Sequence, residues 1–297
     1  MIFHSPAKLN LYLHIKQKYQ NGFHEIDSLF VTINLYDVII ISDSPGPNII
    51  RNGDLSYLKK DDLCYKAAFS LKKKSGCNLG CNVTLRKKIP IGAGLGGGSS
   101  NAATVLKGLN KLWNLGYTKE ELKLVAKEIG SDVPFFIEET NCFVGGIGEN
   151  LIAIRDSEFL PKYYVTLTPN VKISTALIFK QFQLTKEHLT RPKIREKEKV
   201  KILSSQKPFF TFGCNDLQST AVSLFPEISR YLQSMKNVAR TFGIPVESCR
   251  MSGSGSTIFC GFPTKESALS FKEMLCDNFK KHLSEKKLEI HVSELVN

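Results

Sequence analysis

The chain has 297 residues, 42% of them apolar, and a formal net charge of +12. This gives room for two domains of ordinary size with real hydrophobic cores. No apolar run reaches the roughly 18 residues of a membrane span, and the first residues lack an apolar block of signal-peptide length, so a soluble cytoplasmic protein with no membrane partner is expected.

The eight cysteines are scattered through apolar segments. Only Cys77 and Cys81 lie close together, with no second pair and no nearby His, which argues against zinc and for reduced, mostly buried thiols. Residues 191–201 (RPKIREKEKVK) carry six basic and two acidic residues, so about a third of the excess charge sits in one linker-like stretch. Without arginine–aromatic interleaving, the basic excess reads as solvated surface that attracts anionic nucleotides, not as a nucleic-acid site.

Residues 7–15 alternate strictly, with Leu9, Leu11, Leu13 and Ile15 on one face and Lys8, Asn10, Tyr12 and His14 on the other. That is the pattern of a half-buried strand with one polar face. Asn21-Gly22 turns the chain into an apolar β-rich segment over 29–41. Residues 62–74 read as a helix that stops at Gly76, and 83–85 as a short strand. Residues 99–113 and 118–130 read as helices, the second opened by a capping box in Thr118-Lys-Glu-Glu121. A β-rich tail broken by glycines runs to about Ile154. Beyond Pro161 come a strand over 163–167, a helix over 174–182 and a mobile connector to Lys201. Helices near 215–224 and 227–242, a strand over 248–251, a Gly253-Ser-Gly255 turn, a strand over 257–261, a helix over 264–282 and a strand over 288–292 complete the order. There is no internal repeat, and the mixture is α+β, not a regular βαβ alternation.

Residues 90–106, PIGAGLGGGSSNAATVL, form a Gly/Ser-rich loop running directly into a helix. Such a loop lays backbone N–H groups against a ligand, and the following helix adds unpaired donors and its positive dipole end; together they make an anion site, usually for phosphate. No Lys follows in the Walker position. Lys87, Lys88 and Pro90 separate Gly92-x-Gly94-x-x-Gly97 from its strand, and a capping box at Thr118–Glu121 stands where the acidic ribose ligand of a dinucleotide fold should end a second strand. Asp132, just before Pro134, reads either as a helix cap or as a base for an attacking alcohol. Phe179 is either core or a stacking surface, and residues 252–256 are either a tight hairpin or a second loop that approaches a ligand.

The loop, with its proline, G-L-G core and Ser-Ser-Asn-Ala-Ala continuation, resembles the phosphate loop of the GHMP kinases. Ser5-Pro-Ala-Lys-Leu-Asn-Leu11, Asn21-Gly-Phe-His24, Gly130-Ser-Asp-Val-Pro134 and Met251-Ser-Gly-Ser-Gly-Ser256 resemble further motifs of that family in the same order, and narrow the likeness to the branch acting on a cytidyl diphosphate sugar alcohol. The resemblance implies a two-domain architecture: residues 1–156 like domain 2 of ribosomal protein S5 and residues 157–297 ferredoxin-like, with the active site between them. It implies ATP and Mg²⁺ and transfer to a 2-hydroxyl in non-mevalonate isoprenoid synthesis, and leaves the oligomeric state open. Asp132 would be general base and Lys8 the charge stabiliser. Pro90, Ile91, Gly92, Ala93, Gly94, Leu95, Gly96, Gly97, Gly98, Ser99 and Ser100 would cradle ATP. Ser100, or alternatively Ser99, would approach the metal-bound phosphates. Asn10, Phe23, His24 and Phe179 would bind the substrate, with Phe23 in place of the usual Tyr. Asp62 stands where Asn is common near the adenine pocket. The alternatives are a homoserine- or mevalonate-type kinase of the same family, or a nucleic-acid-binding protein with an S5-like fold.

Overall fold

A computed structural model describes residues 1–54, 61–155, 157–192, 194–205 and 208–296. The chain is α+β and divides into two compact units interleaved in sequence: residues 1–7, 35–91 and 96–140 in the first, and 8–34, 92–95 and 141 onward in the second. Two long paired strands, β1 (Ile2–Lys18) and β2 (His24–Ser44), each contribute to both units. The expected division at 156/157 falls inside the second unit.

In the first unit, β3 (Ile49–Gly53), α1 (Leu63–Ser75) and β4 (Gly80–Arg86) precede three helices: α2 (Gly97–Leu112), α3 (Lys119–Ile129) and α4 (Val133–Glu138). β4 lies antiparallel to the end of β2, with Val38 opposite Arg86 and Ser44 opposite Gly80, and parallel to β3 on its other side. Local chemistry sets the helix ends. Asp62 caps α1 by accepting from the N–H groups of Cys64 (2.8 Å) and Tyr65 (3.2 Å), and Gly76 at φ 67° ends it. Thr118 and Glu121 form the expected capping box of α3. Gly108 brings α2 down onto the strands, since a Cβ there would lie 2.4 Å from Ile41 Cδ1.

The second unit continues with β5 (Cys142–Gly145), β6 (Asn150–Ala153), β7 (Tyr163–Pro169), α5 (Thr175–Gln181), α6 (Lys186–Thr190), α7 (Glu196–Ser205), α8 (Leu217–Leu224) and α9 (Pro226–Thr241). It closes with β8 (Arg250–Met251), β9 (Ile258–Phe262), α10 (Lys265–Asn278), α11 (Lys280–Ser284) and β10 (Leu288–Val296). Its strands run in the order β2, β10, β7, β9, β8. α10 packs on this sheet, with the rings of Phe262 and Phe271 centred 4.9 Å apart. Among the described residues no helix is long and apolar enough to cross a membrane.

Three expectations are corrected. The polar face of β1 is not solvated: Lys8, Asn10, Tyr12 and His14 are all buried. Their polar atoms find partners instead of water, Tyr12 donating to Asp27 Oδ1 (2.8 Å) and His14 Nε2 accepting from the Cys214 N–H (3.2 Å). The stretch read as a mobile connector carries α6 and α7 and is pinned at two cations. Lys199 donates to Asp27 Oδ1 (2.7 Å), and Arg191 holds both oxygens of Asp216 (2.7 and 2.9 Å). Lys193, in the middle of that stretch, lies outside the described residues. Finally, the helix expected over 264–282 divides at Phe279, whose ring turns in against Tyr231 at 5.3 Å.

Candidate active site

The glycine loop changes hand at every second residue: Gly92, Gly94 and Gly96 have φ of 66°, 75° and 67°, left-handed values that L side chains rarely adopt. Four successive carbonyls at its tip are each taken by a donor. Gly92 O accepts from the Ile173 N–H (3.0 Å), Ala93 O from the Thr257 N–H (3.1 Å), Gly94 O from Ser252 Oγ (3.0 Å) and Leu95 O from the Lys8 N–H (2.9 Å). The negative ends of these peptide units are therefore turned into the scaffold, away from an anion. A Cβ at Gly94 would lie 2.1 Å from Ser252 O, so the tip accepts no side chain there.

α2 begins at Gly97, and its first intrahelical bond runs from the Ser100 N–H to Gly96 O (2.9 Å). The N–H groups of Gly97, Gly98 and Ser99 are left without intrahelical acceptors. Among the described residues no side chain caps this end and no acidic residue occupies its first turn, which suits an anionic ligand. Ser100 is fully buried with its hydroxyl 2.7 Å from that of Ser5, whereas Ser99 is half-buried. Pro90 is half-buried and Ile91 is exposed.

Lys8 and Asn10 share a face of β1, as their spacing requires. The Lys8 ammonium donates to Asn10 Oδ1 and lies 4.6 Å from the centroid of the Phe30 ring. Asn10 donates through Nδ2 to Ser28 Oγ (3.2 Å), and its backbone N–H donates to Ser252 Oγ (3.1 Å). The Ser252 hydroxyl thus joins β1, the loop tip and the loop of residues 252–256. Asn215 supports that second loop by donating to Met251 O and Gly253 O, both at 2.7 Å.

Asp132 precedes α4 with φ −85° and ψ −12°, and its side chain makes no capping bond to the helix, so the capping role is not the one it fills. It belongs to the first unit with Gly96–Ser100, while Lys8, Asn10 and residues 92–95 belong to the second. Asp62 is committed to capping α1 and to an ion pair with Arg51 Nε at 3.0 Å.

The expected substrate residues divide. His24 is buried and its ring centroid lies 5.2 Å from that of Phe179, inclined at 37°, with Phe182 at 6.1 Å. Its Nε2 is buried and has no hydrogen-bond partner. Burial first, and Lys18 second, lower its pKa and favour the neutral imidazole. Phe179 is half-buried, so it is not simply core. Phe23, by contrast, is 53% exposed.

Sequence reasoning missed Asp37. This carboxylate is fully buried and receives Lys87 Nζ (2.6 Å), the N–H groups of Lys88 (2.7 Å) and Ile89 (2.8 Å), and Asn101 Nδ2 (3.0 Å). Burial lowers the Lys87 pKa, and Asp37 opposes that shift. The available signal was an acid standing alone within the apolar run of β2.

The sequence pattern of the GHMP kinases N terminal domain matches residues 62–139, and that of the GHMP kinases C terminal domain matches residues 204–281. The chain is 38% identical over 266 residues to the 4-diphosphocytidyl-2-C-methyl-D-erythritol kinase of Herminiimonas arsenicoxydans, covering 88% of this chain and 86% of that protein. The chain belongs to the 4-diphosphocytidyl-2-C-methyl-D-erythritol kinase family of GHMP kinases. Its architecture is the two-domain one of that family, whose members are small-molecule kinases using ATP. A crystal structure of 4-(cytidine 5'-diphospho)-2C-methyl-D-erythritol kinase superposes with a TM-score of 0.77 at 27% identity, covering all of both chains. Homoserine kinase from Cytophaga hutchinsonii superposes at 0.71 with 17% identity, covering all of this chain and 94% of that one, and so shares the fold alone.

Proposed function

We propose that this GHMP kinase transfers the γ-phosphoryl group of ATP to the 2-hydroxyl of 4-diphosphocytidyl-2-C-methyl-D-erythritol in the cytoplasm. The observation that carries the choice of substrate is the buried, unpartnered Nε2 of His24 beside the half-buried ring of Phe179. A buried polar atom without a partner is costly, and a nucleobase edge supplies one while its face stacks on the aromatic ring. Homoserine and mevalonate carry no such face. Asn10 and the exposed Phe23 complete the substrate contacts in this reading.

In the reaction, Asp132 takes the proton of the 2-hydroxyl as its oxygen attacks the γ-phosphorus. The bond to the β–γ bridging oxygen breaks, and ADP leaves with that electron pair. Lys8 neutralises charge on the attacking oxygen and the transferring phosphoryl, and the N–H groups of Gly97, Gly98 and Ser99 hold the donor phosphates. Among the described residues no group of three or more His, Cys, Asp or Glu could hold a metal. Mg²⁺ would therefore arrive on the phosphates, with Ser99 or Ser100 as its protein neighbour, and would offset their charge. We keep residues 1–156 and 157–297 as the two family domains, a division supported by the two family matches, which lie on either side of it.

The test is ADP release with the cytidyl substrate, homoserine and mevalonate offered separately. Turnover is expected with the first alone, and turnover of either other alcohol at a comparable rate overturns the reading. Phe179→Ala should weaken the cytidyl substrate by roughly 1–3 kcal/mol, as for other base–aromatic contacts, and leave ATP unaffected.

A further inference from the structure

Glycines cannot hold a loop in shape by packing side chains, so the geometry of residues 90–100 must be imposed from outside. Its tip is held through the carbonyls of residues 92–95. Its roots are held by one carboxylate. Asp37 Oδ1 accepts from the N–H groups of Lys88 (2.7 Å) and Ile89 (2.8 Å), the residues immediately before the loop. Its Oδ2 accepts from Lys87 Nζ (2.6 Å) on the same side and from Asn101 Nδ2 (3.0 Å) on the helix that follows. A carboxylate offers about four lone-pair sites, and all four are in use. Lys87 Nζ donates as well to Ile89 O (2.6 Å) and lies 3.0 Å from where a Cβ of Gly97 would be. The clamp therefore sits directly under the first residue of α2. Burying a charge in an apolar strand is expensive unless it is fully bonded, and an apolar residue would serve the core as well.

We propose that Asp37 is a positioning residue for phosphoryl transfer: it ties both roots of the loop of residues 90–100 and so fixes the N–H groups of Gly97, Gly98 and Ser99 where the donor phosphates bind. The proposal rests on the reading of this loop as the ATP site. Asp37→Asn keeps an acceptor for the Lys88 and Ile89 N–H groups but turns an amide NH₂ toward two donors, Lys87 Nζ and Asn101 Nδ2. Asn101→Ala removes only the arm that reaches α2.

The experiment measures, on the full chain, the Kd for a non-hydrolysable ATP analogue, the KM of each substrate, kcat and Tm. Asp37→Asn should raise the Kd for the analogue and the KM for ATP by about tenfold or more, roughly 1.4 kcal/mol per decade. The KM of the alcohol substrate should stay within about twofold. Asn101→Ala should give the same split at about threefold, since one neutral donor is lost. A purely structural role would lower Tm and active fraction and leave every KM unchanged, and that result overturns the proposal. If Asp37→Asn does not fold, Asn101→Ala decides: an unchanged Kd for the analogue overturns it. If the wild-type chain itself fails to bind the analogue, the ATP reading of the loop falls first and the role of Asp37 with it.

Discussion

Residues 90–100 and residues 252–256 are both rich in glycine and serine, yet solvent reaches only the first. Ile91, Gly92 and Gly98 are exposed, whereas every residue from Ser252 to Ser256 is buried. Positive φ occurs in both, at Gly92, Gly94 and Gly96 and again at Gly253 and Gly255. What differs is the group each glycine lets in. In the first loop the missing side chains leave backbone N–H groups open to a ligand. In the second they admit another stretch of protein backbone: a Cβ at Gly253 would lie 3.1 Å from Asn10 Oδ1 and 3.2 Å from Gly94 O. The second loop is the mould against which the tip of the first is set. Two glycine- and serine-rich stretches thus differ in what they face, one leaving helix N–H groups uncapped and the other receiving backbone.

The largest effect tests whether the open loop serves chemistry at all. Asp132→Asn should lower kcat by roughly 10²–10⁴, the usual worth of a general base. Asn keeps the size of Asp and much of its hydrogen-bonding capacity, so the variant should stay folded with a loss of about 1 kcal/mol or less. A stable variant that keeps more than about a tenth of wild-type kcat removes Asp132 as the base, since that lies outside the range for a lost base. Gly96→Val comes next. Its φ of 67° makes a β-branched residue strained by about 1–3 kcal/mol, and the KM for ATP should rise while kcat falls. Unchanged kinetics in a folded variant would take the loop out of the site. The smallest effect on turnover belongs to the second loop. Asn215→Ala leaves Met251 O and Gly253 O without their 2.7 Å donor, which should cost about 1–3 kcal/mol in urea unfolding. The KM for ATP should hardly change. If it rose as far as in Gly96→Val, the two loops would share one role and the contrast between them would dissolve.

Most helices were legible in the sequence because their ends carry local chemistry. The Asp62 cap, the Gly76 stop and the Thr118–Glu121 box act within a few residues, so a reader of the chain finds them. The polar face of β1 misled for the opposite reason. Alternation of Leu9, Leu11, Leu13 and Ile15 with polar neighbours signals water on one side, but the partners that replace water, Asp27 and Cys214, are distant in sequence. The same holds for α7, whose charges look solvated until Lys199 meets Asp27 at 2.7 Å. β3 carried no signal, being five residues, IIRNG, without alternation. For the candidate site, the loop and the pairing of Lys8 with Asn10 and of His24 with Phe179 were foreseeable from motifs. Asp37 was not, because its four donors come from residues 50 to 64 positions away.

The position of β10 has a consequence for the order in which the molecule can be made. It pairs with β7 from Leu288 opposite Pro169 to Glu294 opposite Tyr163, and with β2 through Leu295 opposite Ile33 and Val296 opposite Thr32. It is therefore the strand between β2 and β7, and until it is present they have no shared neighbour. On a ribosome adding about 5–20 residues per second, the early strand residues 8–34 must wait on the order of tens of seconds for their last partner. Residues 35–91 and 96–140, which carry most of the first unit, need no such wait. The growing chain would thus carry the helices of its first unit while strand residues of the second still lack a partner, the kind of unpaired strand that draws chaperones or aggregates.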